Sequence, residues 1–411
     1  MVVGAFHLLL DLLLGLGVAA VAWWKLERDD AARNDPARFL IGTGVGFAVL
    51  VVIECLILGY LGLFRPLWIA VLHKLVALAV LVRGRRVLGE VLGRAGPLHG
   101  CLSAVGGHWR SGDWLRRSLM SATGLLTLVF GIIALGSETT IFDAQAYRLP
   151  RIGMWFQQAS IRPYFTEIEH QNFVSINADL LVAWWVSHFP WGWGGLTIVQ
   201  VGGGLLAAAV VWAFFRDAGF DPTVRWLAVF VLFSIPLVGL QMMSVQSDLA
   251  AGGFLAAGVY TLYRSIEDGR FSWVPGVAFA QAIGVKGTVL FVGPAMVALL
   301  IWWVARRRPG VGILARHAAV LAAAFALLAL PRYLENQNRY GNFFGQTEYV
   351  SDHLGTGRSA ADIVERGVLN LHTYFAQCFS PTTKVPWLDA GIAALGRAVV
   401  SALPEEDPYV S

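Results

Sequence analysis

The sequence is short of charged residues. Asp, Glu, Lys and Arg make up only 14% of its 411 residues, whereas soluble domains carry roughly a quarter. No hydrophilic half is present that could fold as a separate soluble domain. Instead, 56% of the residues are hydrophobic, and they are gathered in runs near the ~20 residues that a membrane-spanning helix needs. The chain is therefore predicted to be an all-α, polytopic transmembrane helical bundle.

Cysteine is scarce as well. Cys55, Cys101 and Cys378 show no metal-ligand spacing and imply no disulfide framework. No basic cluster is interleaved with aromatic residues in a hydrophilic segment, so nucleic-acid binding has no support. A basic leader is also missing before Asp11, which argues against a cleaved signal peptide, and we expect the first apolar run to be a retained span.

Ten apolar segments are candidate membrane spans. They are residues 2–24, 39–61, 66–82, 118–136, 195–215, 226–241, 248–264, 273–285, 287–305 and 315–331. The glycine-rich stretch 201–204 lies inside one of them. Small residues there allow helices to approach closely, so we interpret this stretch as a packing site and not as a phosphate-binding loop.

The arginine distribution predicts the orientation. Residues 83–117 carry seven arginines against two acids, and residues 306–316 carry four with none. Since Lys and Arg are enriched in cytoplasmic connections, both segments are predicted to be cytoplasmic, and alternation places the N-terminus, residues 137–194 and the tail outside. This alternation places both arginine-rich segments on one side only if the apolar residues 173–189 do not cross the membrane. These residues are therefore predicted to form a helix lying along the outer surface.

These predictions divide the chain into four regions. They are the N-terminal transmembrane helices at 1–82, a cytoplasmic basic linker at 83–117, a transmembrane core at 118–331 that includes the external loop 137–194, and an external tail at 332–411. The external loop carries carboxylates, arginines, a histidine and aromatic residues directly after a span. Loops of this length are usually functional or disordered, and the aromatic content argues against disorder.

The motifs in this loop and after it resemble the GT-C superfamily of membrane glycosyltransferases. The loop segment FDAQAYRLPRIGMWFQQASIRPYFTEIEHQ resembles the first external loop of bacterial members related to the protein mannosyltransferase and aminoarabinose transferase type. Gln246-Ser247-Asp248-Leu249, Gly284-Val285-Lys286-Gly287-Thr288 and the stretch from Pro331 to Asn342 resemble three later motifs. The similarity covers roughly residues 118–350, and the order of the motifs is more specific than any one of them.

The resemblance implies a GT-C-like fold and a reaction. Such enzymes move a sugar from a polyprenyl-phosphate donor to an acceptor glycan, lipid or protein at the outer face of the bacterial inner membrane. Asp143 matches the loop carboxylate that acts as general base, and an attacking hydroxyl needs a positioned base. The cations expected to hold the donor phosphate are Lys286, Arg332, Arg148 and Arg151. Further candidates for substrate binding are Glu138, Tyr147, Trp155, Tyr164, Glu167, Glu169, His170, Gln246 and Asp248.

The resemblance leaves three points open. No metal-ligand spacing appears, so no cofactor is predicted and dependence on a divalent cation stays undecided. The sugar and the acceptor are not identified by any motif. Relatives often continue with more spans and an external domain, so we expect the tail to be naturally short or truncated.

Each candidate also has a structural interpretation. Asp143 and Asp248 could cap helices, the loop glutamates and His170 could be solvated surface groups, and Lys286 could extend its amine to the membrane surface. For the whole chain, the alternatives are a transporter or flippase and an inactive scaffold with the GT-C fold. A transporter binds near the midplane and often has internal repeats, and no repeat is evident.

One predicted ion pair precedes the region of resemblance. Glu54 and Lys74 lie about ten ångströms below the predicted outer ends of adjacent spans. Charges inside the membrane are usually paired with one another. We therefore predict that Glu54 and Lys74 form a buried pair with a structural role.

Overall fold

The computed structural model describes residues 2–27, 33, 35–93, 96–136, 143–189 and 195–346, and all regular structure within them is helical. In chain order the α-helices are α1 (Val2–Leu26), α2 (Pro36–Tyr60), α3 (Pro66–Arg83), α4 (Arg85–Leu92), α5 (Pro97–Ser111), α6 (Trp114–Gly136), α7 (Leu149–Gln158), α8 (His170–Phe173), α9 (Asn177–His188), α10 (Ile198–Asp217), α11 (Pro222–Ser234), α12 (Pro236–Met242), α13 (Asp248–Asp268), α14 (Val274–Val285), α15 (Gly293–Arg307), α16 (Val311–Leu328) and α17 (Leu330–Tyr340). A π-helical turn (Ala144–Arg148) precedes α7, and a 3₁₀ helix (Gly287–Val292) precedes α15. The predicted external tail and Glu138 lie outside the described residues, apart from residues 332–346.

In its described part, the chain is an all-helical membrane protein. Seven helical segments in the described part are long and apolar enough to cross a bilayer. They are α1 from His7, α2, α3, α6, α10, the 3₁₀ helix together with α15 (Gly287–Arg307), and α16. Each coincides with one of the ten predicted spans.

The other three predicted spans, residues 226–241, 248–264 and 273–285, correspond to helices that are individually not long and apolar enough to cross a bilayer. α11 and α12 are bent by 68° where Pro236 begins the second helix, because proline cannot donate the next helical hydrogen bond and crowds the preceding turn. α13 has 21 residues but carries charged residues at both ends, and α14 has only 12 residues. The described residues therefore support seven spans, or eight if the bent pair is one span, and the predicted number of ten is not confirmed.

Glycine allows α10 and α13 to pack backbone to backbone. A Cβ atom added at Gly203 would overlap the backbone of Ala250, and one added at Gly253 would overlap the backbone of Gly203. Any larger residue at these positions would force the helices apart. The interpretation of residues 201–204 as a packing site is confirmed for Gly203 and Gly204, whereas Gly202 has no neighbour within 4 Å.

The apolar segment 173–189 does not lie on the outer surface, so that prediction is wrong. It contains α9, of which ten of twelve residues are buried. The Leu180 carbonyl of α9 accepts a hydrogen bond from Cys55, and the Trp184 ring contacts Phe47, about 12 Å further along α2. A helix that is apolar on all sides needs cover on all sides. α9 obtains it by running into the bundle between α2, α3 and α14.

Asp-Pro pairs begin two helices at one end of the bundle. The Asp35 carboxylate accepts hydrogen bonds from the amides of Ala37 and Arg38 at the start of α2. Asp221 accepts one from the amide of Thr223 at the start of α11. An acidic N-cap satisfies free amides, and proline at the first helical position has none to satisfy. Both helices therefore start at fixed points and place a carboxylate there.

These carboxylates belong to a network of ion pairs that we term the ion-paired end. It joins the beginnings of α2, α6 and α11 to the ends of α10, α13 and α15. Its pairs are Arg216–Asp35 at 2.7 Å, Arg38–Asp268 at 2.7 Å, Arg264–Asp217 at 3.3 Å, Arg307–Glu267 at 2.7 Å and Arg116–Asp221 at 3.6 Å. Arg116 and Arg307 come from the two arginine-rich segments, so both segments reach the same end of the bundle. Which side of the membrane this end faces stays a prediction.

The predicted pair of Glu54 with Lys74 is wrong in its partners. Glu54 contacts His73 at 2.8 Å, and Lys74 contacts Asp11 at 2.9 Å. Neighbouring residues point about 100° apart around a helix with 3.6 residues per turn. His73 therefore reaches Glu54 on α2 as well as the Asp11 carbonyl, while Lys74 reaches the Asp11 side chain on α1.

Candidate functional site

A cavity of about 650 Å³ opens at the end of the bundle opposite the ion-paired end. Its wall is built from the π-helical turn, the chain before α9, the beginning of α13, the connection from α14 to α15, and α17. Apolar side chains of α12 and the 3₁₀ helix, including Leu237, Val238 and Phe291, line another part of it. The cavity therefore has a charged portion and an apolar portion.

Asp143 lies in the charged portion of the wall, at the beginning of the π-helical turn. Its side chain makes no capping hydrogen bond, so the structural interpretation of Asp143 as a helix cap is not supported. In the described part of the chain, its carboxylate also has no ion-pair partner. A free carboxylate at a cavity wall can accept a proton from a bound hydroxyl group.

Lys286 and Asp248 line the same cavity and contact each other. Lys286 follows the last turn of α14, and Asp248 is the first residue of α13. Their side chains are 35% and 42% exposed. The N-cap position of α13 is occupied by Ser247, so Asp248 is not the cap, and its carboxylate contacts the lysine. The pair is accessible from the cavity, and an anionic ligand could replace the carboxylate beside the amine.

Arg148 is buried, yet it contributes to the cavity wall. Its guanidinium donates to Asp179 at 2.8 Å and to the Ser247 hydroxyl at 2.8 Å. The group also lies over the Tyr147 ring at 5.4 Å. Burial raises the pKa of the Tyr147 phenol, although the neighbouring Arg148 opposes that shift. Arg148 is therefore held in one orientation, in the same cavity wall as Lys286 and Asp143.

Arg151 does not face the cavity, so its predicted role in phosphate binding is not supported. Its side chain is fully buried, contacts Asp179, and donates to the carbonyls of Val174 and Ser175. Burial, with Arg332 and Arg148 nearby, lowers the pKa of Arg151 well below its ordinary value. The contact with Asp179 favours the charged form. Arg151 thus fixes the chain that leads into α9.

Arg332 is likewise used inside the protein and is not part of the described cavity wall. It donates to the Asn172 carbonyl at 2.7 Å and to Glu335 at 2.6 Å. Burial raises the pKa of Glu335, and the nearby Arg332 opposes that shift. Arg332 binds α17 to residues 170–173 and leaves the next residue, Tyr333, to line the cavity.

The remaining predicted residues divide into two groups. Tyr147 and Gln246 line the cavity with Asp248. The others are not in the wall. Trp155 is buried against Phe64, and Tyr164 donates a hydrogen bond to Gln171. Glu169 contacts Tyr340 and Arg339, His170 lies between Tyr147 and Phe173, and Glu167 is exposed. Burial raises the pKa of the Tyr164 phenol to about 12, so it stays protonated as a hydrogen-bond donor.

Three residues that orient the site are absent from the residues predicted to form it, although Ser247 and Asn336 lie within the quoted motifs. Asp179 binds both Arg148 and Arg151. Asn336 donates to the Phe173 carbonyl at 2.9 Å and lines the cavity, and Ser247 fixes Arg148. Asp179 had one available signal, because a carboxylate within an apolar run is costly unless it has a partner. For Asn336 and Ser247 the available signal was their position within the motifs that resemble the GT-C superfamily.

A metal site is not formed by the described side chains alone. No three His, Cys, Asp or Glu side chains converge among them. Asp143 and Asp248 line one cavity, and carboxylate oxygens are the ligands that Mg²⁺ and Mn²⁺ prefer. Two carboxylates and a substrate phosphate would form an incomplete but familiar ligand set.

Comparison of the chain with protein-family models, curated proteins and solved structures gave no match. The GT-C fold and its activity therefore remain predictions from the motifs quoted above. What the structure adds is the position of those motifs. The loop segment, the Gln246–Leu249 stretch, the Lys286 stretch and the beginning of α17 all reach one cavity.

Proposed function

We propose that the protein is a membrane glycosyltransferase that moves a sugar from a polyprenyl-phosphate donor to an acceptor hydroxyl. Asp143 serves as general base, and Lys286 with Arg148 binds the donor phosphate. The lipid tail of the donor lies against the apolar portion of the cavity. The sugar and the acceptor are not specified by this proposal.

The observation that carries the proposal is the composition of the cavity wall. A carboxylate without an ion-pair partner among the described residues, an accessible lysine and a fixed arginine lie in the same wall as the apolar side chains of Leu237 and Phe291. A polyprenyl-phosphate sugar has the same division, with an anionic head and a hydrocarbon tail. A soluble sugar nucleotide would leave the apolar portion of the wall without a ligand group.

The chemistry that these residues can perform is a displacement at the anomeric carbon. Asp143 accepts the proton of the acceptor hydroxyl as its oxygen bonds to that carbon. The bond from the carbon to the phosphate oxygen breaks, and polyprenyl phosphate leaves with the electron pair. Lys286 and Arg148 stabilise the charge on the leaving phosphate.

The charge distribution supports an external position for this cavity. Arg116 and Arg307 belong to the ion-paired end, at the opposite end of the bundle. Arginine-rich connections stay in the cytoplasm. With that end inside, the cavity opens on the outer face of the membrane, where lipid-phosphate sugars are used.

An activity assay in membranes tests the proposal. The wild-type protein and Asp143→Asn are given a panel of polyprenyl-phosphate sugars, and sugar transfer to endogenous acceptors is measured. We expect transfer from at least one donor and its loss in the variant. Transfer that survives the substitution would remove Asp143 as the base, and failure with every donor would remove the proposed activity.

A second candidate function has one observation in its favour. The 68° bend between α11 and α12 lies in the helix pair whose second member lines the cavity. Broken helices also form the binding sites of transporters. Movement of a lipid-linked sugar between the two leaflets of a reconstituted vesicle, without transfer of the sugar to an acceptor, would favour this alternative.

A further inference from the structure

Five titratable side chains meet where four helices pack, away from the cavity, and all but that of Lys74 are buried. Asp11 belongs to α1, Glu54 to α2, His73 and Lys74 to α3, and His188 to α9. Asp11, Glu54 and His73 are at most 2% exposed. Charged groups are costly in a membrane interior unless they are paired or have a function. The protonation states of these groups can be worked out from their partners.

Both ring nitrogens of His73 lie within hydrogen-bond distance of an oxygen atom. Nδ1 lies 2.8 Å from a carboxylate oxygen of Glu54, and Nε2 lies 3.0 Å from the backbone carbonyl of Asp11. A carbonyl oxygen cannot donate, so Nε2 must carry a proton. The short contact at Nδ1 also requires a proton, which sits either on the ring or on the Glu54 carboxyl group.

Both arrangements contain one proton more than a neutral imidazole with an ionised carboxylate. We propose that His73 and Glu54 form a buried proton-binding site, which retains this shared proton at neutral pH. Its ligand is a single proton, bound where α2 and α3 meet α1. This proposal is independent of the proposed sugar transfer, because none of the five residues lines the cavity.

The charge balance of the cluster supports the shared proton. Lys74 donates to Asp11 at 2.9 Å, so these two groups neutralise each other. Without the additional proton, Glu54 would be an unbalanced buried carboxylate. With it, the five residues together are neutral, which is the state that a low-dielectric interior favours.

His188 provides an internal contrast within the same cluster. Its Nδ1 lies 2.6 Å from the Trp184 carbonyl of its own helix, so that nitrogen donates. Its Nε2 lies 3.7 Å from Asp11 and has no hydrogen-bond partner among the described residues. His188 therefore needs only one proton. The two histidine rings lie 5.8 Å apart, yet only the contacts of His73 require an additional proton.

Gly15 provides the space that the His73 ring requires. A Cβ atom at this position would lie 2.9 Å from the Cε1 atom of His73 and 2.6 Å from the Phe47 ring. Without a side chain at Gly15, the imidazole can reach the Asp11 carbonyl on α1. The glycine in α1 thus leaves the space beside this helix that the His73 ring occupies.

The proton should also stabilise the packing of three helices around α9. The His73 ring contacts the Trp184 ring at 5.1 Å, and its two hydrogen bonds reach α1 and α2. Histidine in an unfolded chain releases its proton at about pH 6.5. Since the folded site retains it, stability should be full below that pH and fall as the pH rises above it.

Solid-state NMR of ¹⁵N-histidine-labelled protein in lipid bilayers tests the proposal directly. Of the nine histidines, His73 and His188 are assigned by the signals lost in His73→Gln and His188→Gln. At neutral pH we expect His188 to show one bare ring nitrogen. His73 should show two protonated nitrogens or, with the proton on Glu54, a protonated carboxyl band in the infrared spectrum that Glu54→Gln removes.

Glu54→Gln is the decisive variant, because its amide retains the hydrogen bond to Nδ1 but removes the need for the proton. We expect the folded variant to show one bare nitrogen on His73 and to lose the decline in thermal stability above neutral pH. A bare nitrogen on His73 in the wild-type protein, together with an ionised Glu54, would overturn the proposal. So would an identical decline in stability in the wild type and the variant.

Discussion

Both ends of the helix bundle carry acidic and basic side chains, but those side chains differ in how far they are paired with one another. At the ion-paired end, Arg38, Arg116, Arg216, Arg264 and Arg307 each contact an acidic side chain of another helix or connection. At the cavity end, the carboxylate of Asp143 has no partner among the described residues, and Lys286 with Asp248 is half-exposed. Charges that neutralise one another hold helices together. Charges left accessible beside a cavity are available to a ligand.

Asp143→Asn should have the largest effect on activity and tests the cavity end. Loss of a general base typically lowers the rate by about 10²–10⁴-fold. The thermal stability should stay unchanged, because the carboxylate forms no contact that holds the described part of the fold. Sugar transfer and melting in detergent are measured in parallel. Glu167→Gln is the matched control, since that side chain is exposed and away from the cavity wall.

Lys286→Gln should have the next largest effect on activity. Removing a charged hydrogen bond to the donor phosphate costs about 1.5–3 kcal/mol, which is about a 10- to 100-fold loss of affinity. Binding of polyprenyl phosphate without a sugar isolates this contact from the chemistry. Arg332→Gln should not weaken that binding directly, because Arg332 is committed to Glu335. Equal losses of affinity in the two stably folded variants would break the distinction between an accessible lysine and a committed arginine.

Asp35→Ala tests the ion-paired end and should change stability instead of activity. The substitution removes two hydrogen bonds from Arg216 and the N-cap of α2. Both side chains are partly exposed, so we expect a loss of about 1–3 kcal/mol. The activity per folded molecule should be close to that of the wild type. A large loss of activity without a loss of stability would contradict the structural role of this end.

Asp248→Asn should have the smallest effect, and its sign is informative. The carboxylate competes with an incoming phosphate for Lys286, so its removal should tighten binding of polyprenyl phosphate by a few-fold. The amide keeps the size of the side chain. Weaker binding in this variant would indicate that Asp248 itself contacts the donor or a cation bound with it.

The architecture was largely predictable, because an apolar run of about 20 residues has few alternatives to a membrane helix. The position of α9 was not predictable. Its tryptophans suit a membrane interface and a buried helix equally, and only the neighbours α2 and α3 decide between them. The bend at Pro236 and the short α14 are the reasons that the predicted ten spans are not confirmed.

The candidate site was predictable in part. Six of the predicted site residues line one cavity, although their motifs lie far apart in the chain. They are Asp143, Lys286, Asp248, Tyr147, Gln246 and Arg148. Arg151 and Arg332 do not line it, because their side chains point into the protein, where they contact Asp179 and Glu335. The pairing of Glu54 with His73 was not predictable from depth in the membrane alone. His73 and Lys74 lie at almost the same depth, and their directions around the helix axis decide their partners.

Photo-crosslinking tests the central claim most directly. A polyprenyl phosphate with a photoreactive group near its phosphate is bound to the protein in membranes, and the labelled peptides are identified by mass spectrometry. We expect labelling within residues 237–249 and 285–291, removed by an excess of unmodified polyprenyl phosphate and reduced in Lys286→Gln. Labelling confined to the ion-paired end, or labelling that unmodified lipid does not compete away, would contradict the account.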